Sequence, residues 1–121
     1  VFDDGAGVAI TMAAAAAIKD HIDRTGQRPR RTIRIVLWGA EEFGVIGGRA
    51  YAAAHAGETI VLAGESDAGA DRIYTVGSRV AATGLPLFGE IGAVLAPLGV
   101  QPDSSNTSGG GADVGPLAAL G

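Results

Sequence analysis

Two adjacent acidic pairs, Asp3-Asp4 and Glu41-Glu42, stand where the chain changes from one element to the next, and a further acid, Asp67, lies in Glu65-Ser66-Asp67-Ala68-Gly69. Carboxylates at such boundaries suit two kinds of chemistry: they bind hard or borderline cations through oxygen, and they shuttle protons for a neighbouring reactant. Asp3, Glu42 and Asp67 fit the first task, which leaves Glu41 as a base. One metal role and one proton role would explain a Glu-Glu pair. The same acids also have an ordinary structural use, with Asp4 as N-cap of the helix that follows and Glu41 or Glu42 favouring the dipole at the start of the next. Both readings stand at this level.

Other chemistries lack their residues. There are no cysteines, so thiolate metal sites and disulfides are excluded, and only two histidines, His21 and His55. Both histidines fall late in predicted helices, where the helix dipole favours imidazole, and both read as structural. Gly5-Ala6-Gly7 opens a helix, but Ile10 stands where a dinucleotide fingerprint needs a small residue, and Asp3-Asp4 would repel a pyrophosphate. No Gly-Lys-Ser/Thr and no Gly-x-Ser-x-Gly occurs. Nine Lys and Arg against 13 Asp and Glu give a net charge of -4, so nucleic acid is a poor partner. Trp38 and Phe43, beside the Glu pair, read as core residues, and no apolar run is long enough to span a membrane.

The elements that must position these acids follow from periodicity. From Gly7 to Asp23, Val8, Met12, Ala15, Ile18 and Ile22 recur at steps of four and three, which predicts an amphipathic helix stopped by Gly26 and Pro29. Thr32 to Trp38 is β-branched and almost continuously apolar, as expected of a central strand covered on both faces. Ile46 to His55 reads as helix, Thr59 to Ala63 as a second short strand, Arg72 to Val76 as an edge strand and Pro86 to Leu98 as helix. Pro102 to Gly111, with its Ser, Asn, Thr and Gly content, reads as a loop. This alternation predicts an α/β fold: a partial α/β/α layer with a mainly parallel sheet. Glu41, Glu42 and Asp67 then follow strands, at the edge where open α/β sheets bind ligands. With 121 residues, 47% of them hydrophobic, one domain is expected.

Three segments together, Phe2-Asp3-Asp4-Gly5-Ala6-Gly7-Val8-Ala9, Arg28 to Gly44 with its Trp38-Gly39-Ala40-Glu41-Glu42 end, and Glu65-Ser66-Asp67-Ala68-Gly69, resemble the zinc exopeptidases of the bacterial aminopeptidase and carboxypeptidase Q type. The resemblance is strong from Phe2 to Gly69 and looser to Gly121. It implies a pair of zinc ions, with Asp3 as the bridging ligand, Glu42 and Asp67 as further ligands and Glu41 as general base toward a metal-bridged water. It also implies that Asp4 joins Asp3 through a cis peptide, and that the late Gly111-Ala112-Asp113-Val114 segment leads toward a second histidine, with Asp113 supporting the site from behind its ligands. The family's two histidine ligands would fall outside this chain. Residues 1–121 are therefore expected to be one incomplete catalytic domain, cut at both ends and inactive alone.

The function implied is hydrolysis of peptides or dipeptides by an aminopeptidase, carboxypeptidase or dipeptidase, with a secreted or periplasmic location. No nucleic-acid or membrane partner is expected. Judged on the acids alone, a non-catalytic α/β module that binds a cation is the main alternative. A magnesium-dependent phosphoryl-transfer enzyme is a third, disfavoured by the lack of a basic phosphate clamp near the acids.

Overall fold

The computed structural model describes residues 2–67 and 71–120, with the side chains of Phe2 and Asp3 outside that description. Helix α1 runs Phe2–Thr25, α2 Ile46–Ala54, α3 Leu85–Leu95 and α4 Gly115–Ala118; the strands are β1, Thr75–Val76, and β2, Gln101–Pro102. Among the described residues no helix is long and apolar enough to cross a membrane.

Helix α1 starts five residues earlier than its apolar stripe predicts, so Asp3 and Asp4 lie within its first turn. The Asp4 carboxylate nevertheless does the work of a cap, accepting the Gly7 N–H three residues on at 2.8 Å. At the other end Gly26 takes φ 71 and its N–H bonds Ile22 O at 2.8 Å, the expected glycine stop. Lys19 with Asp23 and Arg24 with Asp20 form exposed pairs one turn apart. The apolar stripe is not covered, since Val8, Met12 and Ile18 are all exposed.

The sheet corrects two expectations. Neither Thr32 to Trp38 nor Thr59 to Ala63 forms a strand among the described residues, and their side chains are not core: Leu37 is 57% and Leu62 75% exposed. A β-branched apolar run becomes a strand only when a neighbouring backbone pairs with it, and neither run has such a ladder here. The sheet that does form is two-stranded and parallel, with Thr75 opposite Gln101 and Val76 opposite Pro102. Parallel neighbours need a crossover, and α3 supplies it, giving a β1-α3-β2 unit. Gly92 of α3 is buried on Pro102, where a Cβ would come within 2.9 Å of the ring, so the helix lies close on β2. The α/β class is thus present in this unit, while a complete α/β/α layer is not formed by the described residues.

The ladder continues beyond β2 by other means. Ser108 N–H bonds Ser78 O at 3.0 Å, and the Asn106 side-chain amide pairs with Val80 like a strand residue, accepting from its N–H and donating to its O, both at 2.9 Å. The predicted loop from Pro102 to Gly111 is therefore fastened at its middle. Elsewhere α2 packs on α4, and the buried apolar residues are Ala52, Val100 and Val114.

Candidate active site

The Glu41-Glu42 pair sits in a tightly wound turn leading into α2. Glu41 O accepts the N–H groups of Gly44 at 2.9 Å and Val45 at 2.8 Å, and Gly39 O accepts that of Gly47 at 2.9 Å. To wind this way Ala40 adopts φ 60 and Val45 φ 58, a left-handed conformation that is rare for a β-branched residue. Gly47 fits because its Cα lies on the Gly39 backbone, where a Cβ would come within 2.6 Å of Gly39 O. Glu41 is half-buried and Glu42 exposed. Val45, the residue before α2, makes no side-chain cap, and the first turn of α2 carries no acid. Phe43, expected in the core, is 83% exposed: the turn points it outward. Trp38 is half-buried and meets Tyr51 edge-on with ring centroids 5.1 Å apart, a packing role.

Asp67 is reached from the other side. Gly7, buried in the second turn of α1, lies so close to Ser66 O and the Asp4 carboxylate that no side chain would fit there. This brings the turn that carries Asp3 and Asp4 against the residue preceding Asp67. The Asp3 side chain and Gly69 lie outside the described residues. Asp4, Glu41, Glu42, Glu65, Asp67 and Asp113 all line one open cleft of about 1760 Å³. The described candidates thus share the lining of one broad cleft, although the two runs expected to place Glu41, Glu42 and Asp67 at strand ends are not strands.

Behind this face stand two carboxylates gripping backbone. Glu65, which the sequence reading passed over, accepts the N–H groups of Ala112 at 3.0 Å and of Asp113 and Val114 at 2.9 Å. Gly111, at φ 94, lies directly on this carboxylate and leaves no space for a Cβ. Asp113 is only 6% exposed, and its Oδ1 has no hydrogen-bond partner among the described residues. Burial pushes its carboxyl above the ordinary carboxylate range, and the nearby charges of Glu65 and Asp67 push it further, against the opposing effect of the Gly48 N–H.

The histidines stay out of this cleft. His21 is exposed on α1 and borders a separate small hollow with Arg28 and Ile33. His55 stacks on Tyr51 at 4.1 Å, and its Nδ1 lies 2.7 Å from Glu58 Oε1, while Arg34 reaches Glu58 at 2.5 Å and the Tyr51 hydroxyl at 3.0 Å. Among the described residues no group of three or more His, Asp or Glu side chains is gathered to hold a metal ion. The donor chemistry on the cleft face is nonetheless that of a cation site's oxygen share, with an orphaned buried carboxylate oxygen beside two further acids.

A family model, peptidase family M28, matches residues 1–118. The chain is similar to carboxypeptidase Q of Homo sapiens, 44% identical over 71 residues that make up 55% of this chain and 14% of that protein. It is likewise similar to carboxypeptidase Q of Mus musculus, 47% identical over 53 residues, 44% of this chain and 10% of that protein. The crystal structure of a peptidase M28 precursor from Shewanella amazonensis superimposes with a TM-score of 0.82 at 46% identity, covering 98% of this chain and 26% of that one. The chain thus spans a small part of the length of the relatives it matches.

Proposed function

Since this chain belongs to peptidase family M28, we propose that the protein containing it is a zinc-dependent exopeptidase acting on peptides or dipeptides, with residues 1–121 forming part of its catalytic domain, a zinc exopeptidase-like α/β/α core. The observation that carries this reading is the meeting of three sequence-distant acidic segments, the first turn of α1, the Glu41-Glu42 turn and Asp67, on one cleft.

In this reading Asp3, Glu42 and Asp67 hold the metal. Zinc, when bound, supplies Lewis-acid polarisation of the scissile carbonyl and lowers the pKa of water toward about 7. The chain's own residues do the rest. Glu41, half-buried and set by a turn whose amides close on its own carbonyl, takes the proton of the attacking water at a carboxylate oxygen and returns it to the leaving amine. Asp4 holds the start of α1 through Gly7 N–H, and the same glycine lies against Ser66 O. The cleft carries Arg30, Arg31, Arg34 and Arg79 beside its acids, so the aminopeptidase, carboxypeptidase and dipeptidase forms of the reading are separated by assay. A secreted or periplasmic location is part of the proposal, and fractionation of the producing cells tests it.

The deciding experiment assays the full-length protein on aminoacyl, carboxy-terminal and dipeptide substrates, before and after chelation and with zinc restored. Hydrolysis that disappears with the metal and returns with it is expected. A protein that binds zinc stoichiometrically but cleaves none of these substrates would be the cation-binding module instead.

A further inference from the structure

We propose that Glu65 is a positioning residue: by holding the backbone amides of residues 112–114 it locks the Asp67 segment to the Glu41-Glu42 turn. The inference rests on the exopeptidase reading for its catalytic consequence, and on geometry alone for the lock itself.

The link is continuous. Glu65 precedes Asp67 by two residues and receives three N–H groups from Ala112, Asp113 and Val114. Bonds from N–H to an ionised carboxylate are stronger than neutral ones, and three on one carboxylate fix both its oxygens. Gly111, with its positive φ, presses its backbone onto the same carboxylate. The loop so held carries Asp113, which is buried against α2: a Cβ on Gly48 would come within 2.6 Å of Asp113 O and 3.0 Å of its Oδ1. Gly48 lies in the first turn of α2, and that turn is wound directly from the one bearing Glu41, through Gly47 N–H on Gly39 O and Arg49 N–H on Val45 O. Helix α4, which begins at Gly115, packs on α2 and closes the same joint. Moving Asp67 relative to Glu41 therefore requires breaking the Glu65 bonds or prying Asp113 from Gly48. A proton shuttle and a ligand must be held to well under an ångström, and a misplacement of about 1 Å can cost on the order of 100-fold in rate.

The test uses the full-length protein with three variants: Glu65→Gln, Gly111→Ala and the double variant. Glu65→Gln keeps the side chain's shape but turns an NH₂ toward N–H donors. Gly111→Ala leaves Glu65 intact and forces the loop off it. Each single variant is expected to speed amide hydrogen exchange at residues 112–114 and at Gly48 by about tenfold. Each should also lower kcat by roughly 10- to 100-fold with KM and far-UV circular dichroism nearly unchanged. The double variant should be no worse than the poorer single, because both break one lock. Faster exchange at 112–114 without any change at Gly48 would overturn the lock, as would unchanged exchange at both. Faster exchange at both places with kcat untouched, or losses that multiply in the double variant, would overturn the positioning role. A wild-type protein that hydrolyses no peptide would refute the exopeptidase reading and the catalytic consequence with it, while the spread of exchange from 112–114 to Gly48 would still decide the lock.

Discussion

Glu41 and Glu42 are sequence neighbours in different surroundings, one half-buried with its carbonyl tied twice, the other exposed on the cleft. That difference predicts a division of labour. In the full-length protein Glu41→Gln should cut turnover by about 10² to 10⁴-fold while zinc content stays near normal, because a proton carrier is not a ligand. Glu42→Ala should lower zinc content. Metal analysis beside steady-state kinetics checks both, and equal zinc loss in the two variants would remove the division. The position of these acids at an element boundary was legible in the sequence, since both stand in the turn that leads into α2. Glu65 was not, since its partners are main-chain amides about fifty residues later, and main-chain groups leave no mark in residue type. Phe43 was misjudged for a similar reason: an aromatic type says apolar but not which way a turn will aim it.

At the scale of elements, the three longer helices were legible and α4 was not, and of the expected strands only the one at Arg72 to Val76 is formed, as the two residues of β1. Helices are closed by local bonds, so the stop at Gly26, the proline in the first turn of α3 and the apolar period of α2 each appear in the sequence where they act. A strand is completed by a distant backbone, and Thr32 to Trp38 has none paired with it. What holds that segment instead is Arg34, which reaches across to Tyr51 in α2 and to His55 and Glu58 just beyond it. The hydrogen bond from His55, and then that from Arg34, hold the Glu58 carboxyl below the ordinary carboxylate range. For a depressed acid, the stabilisation is present above the unfolded pKa and is lost as pH falls through the folded one. Acid titration of the folded protein should therefore show Tyr51 fluorescence or ring shifts changing below the normal carboxylate range, and Glu58→Gln should abolish that step. The turn before α2 gives a second expectation. Ala40→Gly relieves a left-handed alanine and should stabilise the protein by up to about 1 kcal/mol in a denaturant melt, while loosening the hold on Glu41 and lowering turnover.

Across the whole molecule, large apolar side chains face outward on α1, on Thr32 to Trp38 and on Thr59 to Ala63: Met12 is 51%, Ile33 51% and Val61 58% exposed. Burial of such side chains is the main force that fixes a fold, so residues 1–121 studied alone should be loosely held. They should bind the dye ANS and melt broadly, and they should show no measurable peptidase turnover even with zinc, for want of imidazole ligands beside the acids. A longer chain covering the other three quarters of the Shewanella structure's length should lose the dye signal. Strong turnover by the 121 residues alone would show that His21 or His55 can reach the cleft.

The grip of Glu65 on residues 112–114 falls on N–H groups, which every amino acid but proline possesses. The side chain of exposed Ala112 is therefore free to change over evolutionary time without disturbing the path of the loop, and only proline is barred there. Pro116, one turn later and beyond the last gripped amide, is tolerated for the same reason. A comparison of side chains would score position 112 as expendable, although its backbone helps to hold the face on which the acids meet.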